Sequence, residues 1–178
     1  TLHLSLSGIR DISTIQTPPM TKISTQVSVM EYNELTIKMV IDKEMQRSGQ
    51  VLIIYNRVDD IDYVANRIAN LTGNSYIIDV AHGQMSSNVL EQKIMNLYKG
   101  KTQILISTTL IENGVDLPNA NTLIVLDSDK LGLSQLYQLK GRVGRGNRDS
   151  YAYFMYRGTI SDIAYKRLKA ISEFTAMG

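Results

Sequence analysis

Val51-Leu52-Ile53-Ile54-Tyr55 is a run of five apolar residues between Gly49-Gln50 and the polar pair Asn56-Arg57. A short run without polar alternation is typical of a strand that a parallel sheet buries on both faces. Apolar residues then recur at helical spacing before Gly73, at Ile61, Val64, Ala65, Ile68 and Ala69. A buried strand followed by an amphipathic helix, with Asp59 as its expected cap, predicts one unit of an α/β fold.

The rest of the chain repeats this alternation. Strands are predicted at residues 23–29, 76–80, 103–107, 122–126 and 151–156. Helices are predicted from Asn33 to about Ser48, after Ser86-Ser87, over residues 134–140 and after Ser161. Inward-facing side chains are expected in the second and last of these, at Leu90, Ile94, Leu97, Tyr98, Ala164, Leu168 and Ile171, and most of the ten tyrosines are expected in the core. The pattern predicts a mostly parallel sheet with helices on both faces.

Composition limits the class of protein. The chain has 178 residues, of which 43% are hydrophobic and 20% charged, as in one globular domain with its own core. It has no cysteine and no apolar run of membrane-spanning length, so we expect a cytoplasmic protein without disulfides or a membrane partner. Because the chain begins Thr1-Leu2-His3 without an initiator Met, we also expect it to be a piece of something longer.

The net charge of +2 is unevenly distributed. Residues 140–169 contain eight basic and two acidic side chains, whereas the rest of the chain contains 11 basic and 15 acidic ones. This distribution favours an anionic partner on one face, but a scattered, solvated surface explains it equally well, since clustering along the chain need not survive folding.

Two Gly-Arg pairs lie close together in Gln138-Leu139-Lys140-Gly141-Arg142-Val143-Gly144-Arg145. Glycine allows the backbone to approach a bulky anion, and arginine offers a planar, permanently charged fork that suits phosphate oxygens. A solvated basic turn between a helix and a strand is the alternative, and the pairs alone do not decide between them.

Polar residues follow three of the predicted strands. They are Asn56-Arg57, His82-Gly83 and Ser107-Thr108-Thr109, and the last group leads into Gly114-Val115-Asp116-Leu117-Pro118. Hydroxyls, amides and exposed N–H groups commonly bind phosphates, although helix capping, turn formation and a solvated surface explain the same residues. Because ligands gather at the carboxyl ends of parallel strands, these loops predict a single functional edge, and we expect Arg142 and Arg145 on the same side of the sheet.

No G-x-x-x-x-G-K-[ST] loop occurs in the chain, so it has no loop of its own that cradles β and γ phosphates. If Arg142 and Arg145 serve ATP hydrolysis, they must act across a cleft on a nucleotide bound elsewhere. That is the role of an arginine finger.

The order of these stretches resembles the second RecA-like lobe of superfamily 2 helicases. Residues 138–145 look like motif VI, 107–118 like motif V, 51–56 like motif IV, and 82–85 like the adjoining minor motif. Within that superfamily the chain is most similar to the bacterial transcription-repair coupling factors, on residues 1–11, 17–19 and 132–145. Residues 161–177, with Arg167-Leu168, resemble the start of the helical translocation motif that this family shares with RecG.

The resemblance implies a RecA-like three-layer sandwich, with residues 1–22 as an interlobe linker, 23–158 as the lobe and 159–178 as the start of the translocation motif. It implies a double-stranded DNA translocase that displaces stalled RNA polymerase and recruits excision-repair proteins. ATP and Mg²⁺ would be bound mainly by the first lobe, with no metal site here, and the chain alone would be inactive. The implied catalytic residues are Arg142 and Arg145, with Gly114, Asp116, Gln138 and Gly141 at the nucleotide. The implied DNA contacts are Asn56, Arg57, His82, Gly83, Thr108, Thr109 and Arg167.

Two other functions stay open at this point. One is a lobe of a RecG-like branch-migration helicase, which has motifs V and VI as well. The other is a non-catalytic nucleic-acid-binding module that kept the lobe without its partner. A Walker A loop a few hundred residues upstream would support a motor, and its absence would support the module.

Overall fold

The computed structural model describes residues 25–109, 117, 119–144 and 148–174. For residue 174 it describes the backbone alone. Over these residues the chain forms six strands and five α-helices. The strands are β1 (Gln26–Glu31), β2 (Gln50–Ile54), β3 (Ile78–Ala81), β4 (Ile104–Ser107), β5 (Ala120–Val125) and β6 (Tyr151–Tyr156). The helices are α1 (Glu34–Gln46), α2 (Ile61–Leu71), α3 (Ser87–Tyr98), α4 (Leu133–Lys140) and α5 (Asp162–Phe174).

The strands form one parallel sheet in the order β1-β6-β5-β2-β4-β3. Strand β2 lies in the interior of the sheet, and residues 51–54 are at most 1% exposed. Val51 and Ile53 pack with α1 and α2 on one face, while Leu52 and Ile54 pack with α3, α4 and α5 on the other. The prediction that this apolar run is a strand buried on both faces is therefore confirmed, since helices cover each face.

Three predicted capping side chains are confirmed. The Asn33 side chain accepts a hydrogen bond from Thr36 N–H, Ser86 Oγ accepts one from Val89 N–H, and Ser161 Oγ accepts one from Ala164 N–H. Each satisfies a backbone donor that the first turn of a helix leaves without an intrahelical acceptor. Capping chemistry therefore located three of the five helices to within a residue.

The prediction that Asp59 caps α2 is wrong. A short 3₁₀ turn, Val58–Asp60, precedes the helix, and Asp60 is the N-cap residue without a capping side-chain bond. The Asp60 carboxylate instead accepts a hydrogen bond from the Tyr55 hydroxyl at 2.8 Å. A tertiary contact therefore replaces the local cap.

The prediction of buried tyrosines is also wrong for several positions. Tyr63, Tyr98 and Tyr165 are exposed, and of the pair at the end of α3 only Leu97 faces the sheet. Adjacent helical residues point about 100° apart, so Leu97 and Tyr98 cannot both face inward. The predicted inward positions of α5 are confirmed, because Ala164, Leu168 and Ile171 are all buried.

No helix in the described parts of the chain is long and apolar enough to cross a membrane. Residues 1–22, predicted to be a linker, lie outside the described residues.

Candidate nucleotide and nucleic-acid sites

Three of the predicted polar loops meet at the carboxyl edge of the sheet. Strands β2, β4 and β3 are consecutive neighbours, and they are followed by Asn56-Arg57, Thr108-Thr109 and His82-Gly83, respectively. The backbone joins these loops, because Tyr55 N–H donates to Ser107 O and Thr108 N–H donates to Ala81 O. The structure thus brings all three pairs into one continuous strip.

Asn56 and Thr109 form the most direct contact in this strip. The Thr109 N–H and hydroxyl both donate to Asn56 Oδ1, at 3.3 and 3.1 Å. Asn56 is exposed, and its amide nitrogen has no acceptor among the described residues. With its oxygen occupied, the amide presents two N–H donors to solvent, a suitable arrangement for a phosphate oxygen.

The hydroxyls of the neighbouring residues are placed differently. Ser107 is completely buried, and its hydroxyl donates to Thr108 O at 2.8 Å. Thr108 is itself only 6% exposed. Of the three hydroxyl residues that follow or end β4, Thr109 is therefore the one whose side chain lies at the surface.

His82 stabilises the turn after β3. Its Nδ1 accepts from Gln84 N–H at 3.2 Å, and its carbonyl accepts from Met85 N–H. In the neutral ring this leaves the proton on Nε2, which is a donor. Gly83 is exposed, and a Cβ there would meet no atom within 4 Å, so packing does not require a glycine. The turn uses some of its own N–H groups, and fewer remain for an anion than the sequence suggested.

Arg57 lies beside Asp60, which is hydrogen-bonded to Tyr55, and neither residue was predicted to belong to the site. Arg57 Nε lies 3.7 Å from Asp60 Oδ1, and the Arg57 side chain is 56% exposed. Burial and the hydrogen bond to Asp60 raise the pKa of Tyr55 to about 12. The Tyr55 hydroxyl therefore stays protonated near neutral pH and donates to Asp60, while the Arg57 guanidinium remains exposed to water.

The arginine turn lies at the other edge of the sheet. Helix α4 follows the carboxyl end of β5 and returns to the start of β6, so residues 141–144 come after its far end. Gly144 N–H points to the carbonyl of Ala120, the first residue of β5, at 3.4 Å. The expectation of a single functional edge therefore holds for three loops but not for this turn.

The described part of the arginine turn is well fixed. Arg142 N–H donates to Leu139 O at 3.0 Å, Val143 is 3% exposed, and Gly144 has a φ of +74°. Arg142 is partly buried rather than immersed in solvent, while Gln138 and Gly141 are exposed. Gln138 lies in the last turn of α4, four residues before Arg142, which lies beyond the end of the helix. Gly114, Asp116 and Arg145 lie outside the described residues.

Arg167 is engaged within the chain. Its Nη2 donates to Asp129 O at 3.0 Å, in the 3₁₀ turn Ser128–Lys130 between β5 and α4. Arg167 thereby joins α5 to the segment that leads into α4.

The basic last third of the sequence does not form one face. Lys140 and Arg142 follow α4 toward the amino edge, whereas Arg157 follows the carboxyl end of β6 and stacks on the Tyr32 ring at 4.0 Å. Burial lowers the pKa of Lys140. Among the residues described, no group of three or more His, Cys, Asp or Glu side chains could hold a metal ion.

A buried carboxylate was missed by sequence reasoning. Glu44 is 1% exposed and lies on the apolar side of α1, seven residues after Ile37 and four after Val40. An acidic residue at a core position of an amphipathic helix is the signal that would have identified it.

The all-parallel six-stranded sheet, covered by helices on both faces, has the RecA-like fold of a helicase C-terminal lobe. The chain belongs to the helicase conserved C-terminal domain family, whose model matches residues 31–147. It is 50% identical over its whole length to the transcription-repair-coupling factor of Bacillus subtilis (strain 168). It spans about 15% of the length of that relative.

Solved structures agree with this assignment. The structure of RecG bound to a three-way DNA junction matches 88% of this chain with a TM-score of 0.75 and 26% identity, and the match covers 22% of the RecG chain. The C-terminal domain of the DEAD-box protein Dbp5 matches 87% of this chain and 87% of its own, with a TM-score of 0.62. Its identity of 15% supports the fold alone.

Proposed function

We propose that the chain is the second motor lobe of an ATP-dependent double-stranded DNA translocase that displaces stalled RNA polymerase and couples transcription to excision repair. The observation that carries this proposal is the 50% identity, over the entire chain, to a transcription-repair-coupling factor. ATP and Mg²⁺ are bound mainly by a preceding lobe, since this sequence contains no Walker A loop. The chain by itself is expected to hydrolyse no ATP.

Arg142 and Arg145 are proposed as the residues that face the γ-phosphate. Arg142 suits this role because the backbone on either side of it is fixed by α4 and by the contact of Gly144 with β5. A side chain carried by a fixed backbone needs less reorganisation when negative charge develops on the transferred phosphoryl group. Gln138 and Gly141 share this turn and are proposed at the nucleotide, together with Gly114 and Asp116.

The carboxyl-edge strip is proposed as part of the DNA track. Asn56, His82 and Arg57 offer N–H donors at one edge, as sequence-independent phosphate binding requires, and Thr109 orients the Asn56 amide through its two bonds to Asn56 Oδ1. Gly83 is also proposed as a DNA contact, because its backbone is exposed. Thr108 and Arg167 are weaker candidates for DNA contacts, since Thr108 is buried and Arg167 bonds to Asp129.

A RecG-like branch-migration helicase is the second candidate, and the TM-score of 0.75 with RecG favours it. Sequence identity favours the coupling factor, at 50% against 26%. The two differ in substrate: a coupling factor displaces stalled polymerase from plain duplex DNA, whereas a branch-migration enzyme prefers forks. A non-catalytic module is the third candidate, and the upstream part of the open reading frame decides it by the presence or absence of a Walker A loop.

The finger role is tested in the full-length protein with Arg142→Ala. We expect duplex-stimulated ATP hydrolysis to fall by roughly 10³ or more, with binding of a fluorescent ATP analogue changed less than about threefold. Lys101→Ala is the matched control. Lys101 is an exposed residue just before β4, at the amino edge of the sheet where the arginine turn also lies. Its replacement by alanine removes the same single positive charge.

Hydrolysis by Arg142→Ala at a rate close to that of Lys101→Ala would remove the finger assignment. A loss of nucleotide binding equal to the loss of hydrolysis would instead place Arg142 in ground-state binding.

A further inference from the structure

Glu44 and Arg47 form an ion pair whose carboxylate is almost completely buried. The Arg47 Nε and Nη2 groups donate to the two carboxylate oxygens of Glu44, at 3.1 and 3.0 Å, and Glu44 is 1% exposed. The Thr122 hydroxyl of β5 donates to Glu44 Oε1 at 2.5 Å. Three donors thus compensate the buried carboxylate, and together they hold the guanidinium in one orientation.

Gly49 packs directly against the carboxylate of this pair. A Cβ at this position would overlap Glu44 Oε2 and lie 2.8 Å from its Cδ, so the carboxylate occupies the volume that a side chain at position 49 would need. The glycine is therefore required by the ion pair, whereas the left-handed backbone after α1 is at Ser48, which has a φ of +59°. A salt bridge around which the backbone leaves space is a built feature of the fold rather than a chance surface contact.

Arg47 also holds the segment that enters β6. Its Nη2 donates to Asp149 O at 2.7 Å, and Arg148 Nη1 donates back to Arg47 O at 2.5 Å. The Arg47 guanidinium carbon lies 5.4 Å from the centroid of the Tyr151 ring. Two reciprocal hydrogen bonds and a ring contact therefore fasten residues 148–151 to the end of α1 across about a hundred residues of sequence.

The fastened segment is in direct contact with the arginine turn. Ser150 follows Asp149, is completely buried, and its hydroxyl bonds to the Thr25 hydroxyl at 2.7 Å. Gly144 packs so closely on Ser150 that a Cβ on the glycine would lie 2.6 Å from the Ser150 Cβ. A displacement of Asp149 would be transmitted through Ser150 to Gly144, which is two residues from Arg142.

We infer that the Glu44–Arg47 pair is a positioning element that sets the orientation of the Arg142 turn. This inference rests on the proposed finger role of Arg142. Strand β5 completes the arrangement, because Thr122 holds Glu44 and Ala120 holds Gly144 on the same strand. In this role Arg47 acts through the backbone that carries Arg142.

The test compares Arg47→Lys with the parent in the full-length protein. Lysine keeps the charge beside Glu44 but cannot bond Glu44 bidentately and reach Asp149 O as well. We expect kcat for duplex-stimulated ATP hydrolysis to fall by roughly tenfold to a hundredfold, with KM for ATP within about threefold of the parent. Arg148→Ala, which removes the reverse bond from an exposed residue, is expected to lower kcat by at least about threefold in the same way.

Arg67→Lys is the matched control for loss of a bidentate pair. Arg67 bonds both carboxylate oxygens of Glu34 at 2.6 Å, near the start of α1 and away from the arginine turn. It should leave kcat within about twofold of the parent, because its pair touches neither Asp149 nor Gly144.

The outcomes separate this inference from the proposed function. If Arg142→Ala is inactive while Arg47→Lys and Arg148→Ala both keep the parental kcat, the positioning role is refuted and the finger role stands. If Arg142→Ala is active, the finger role fails whatever Arg47 does. If the kcat of Arg47→Lys and Arg67→Lys falls equally and in proportion to lost thermal stability, the pair is only structural.

Discussion

Gly144→Ala is the substitution whose cost the structure specifies most closely. Gly144 has a φ of +74°, which costs an L-residue with a side chain roughly 1–2 kcal/mol. The new Cβ would also overlap the Ser150 hydroxyl and lie 3.2 Å from Thr25 Oγ1. Overpacking of this kind costs roughly 1–3 kcal/mol, so we expect a total loss of roughly 2–5 kcal/mol in the free energy of unfolding.

Gly158→Ala is the matched control. Gly158 has a φ of +63°, but a Cβ there would meet no atom within 4 Å. It should lose only the conformational part, roughly 1–2 kcal/mol. Urea unfolding of this chain, followed by circular dichroism, measures both values, and the excess cost of the Gly144 variant is the cost of the contact with Ser150.

Ser150→Gly provides a second check on the same reasoning. Removing the Ser150 side chain takes away the atoms that the new Cβ would overlap, so the double variant should be less destabilised than the sum of the single variants by roughly 1–2 kcal/mol. Equal losses for the two glycine variants, or additive losses in the Gly144→Ala/Ser150→Gly pair, would refute the close packing of the arginine turn.

Two further predictions concern the carboxyl edge. Because the pKa of Tyr55 is raised to about 12, its contribution to stability is complete below pH 10 and is lost as the pH rises toward 12, by up to roughly 2–3 kcal/mol. Tyr55→Phe should lose about 1 kcal/mol at pH 8 with the bond to Asp60 and should then decline less than the parent in urea unfolding from pH 8 to 11.5; parallel curves would contradict this. Asn56→Asp keeps an acceptor for Thr109 but replaces two outward donors with negative charge, so duplex binding by the full-length protein, measured by fluorescence anisotropy at fixed salt, should weaken roughly tenfold or more. Asn70→Asp, an exposed position near the end of α2, carries the same change in charge, and equal weakening in both variants would argue against a contact at Asn56.

The architecture was predictable because its signals are local. The run at residues 51–55 has the apolar pattern of a strand covered on both faces, and the capping residues Asn33, Ser86 and Ser161 each precede a helix that forms where predicted. Neither signal depends on distant residues. Sheet order does depend on them, and the sequence indicated parallel strands without indicating that β6 lies between β1 and β5.

The position of the arginine turn was missed although the order of elements contained it. In a parallel sheet the chain leaves each strand at the carboxyl edge and must return to the amino edge before the next. Loops that follow strands, such as Asn56-Arg57, therefore lie at one edge, and a turn that follows a helix, such as Arg142, lies at the other. Motif chemistry alone suggested a shared edge, whereas connectivity separates the two.

The contacts that orient the site residues could not be predicted, because they join residues far apart in sequence. Arg47 and Asp149 are 102 residues apart, and Glu44 and Thr122 are 78 apart. Nothing in the local pattern pairs them. For Asp60, the nearby Tyr55 hydroxyl competed with the helix end for the carboxylate, and the tertiary contact prevailed over the capping preference.

The polar loops lie at the carboxyl edge of the sheet and the arginine turn lies at the amino edge. This separation has a mechanical consequence for the proposed motor. Helix α4 begins beyond the 3₁₀ turn that Arg167 holds at the carboxyl side, buries Leu136 and Leu139 against the sheet, and ends at the Arg142 turn. A short helix anchored in a close-packed core does not bend independently of the sheet beneath it. The loops proposed to contact DNA and the turn proposed to face the nucleotide therefore move as one body. In the proposed motor, motion between DNA and nucleotide would then arise at the junction with a neighbouring lobe, and this chain would keep its two groups at a fixed distance.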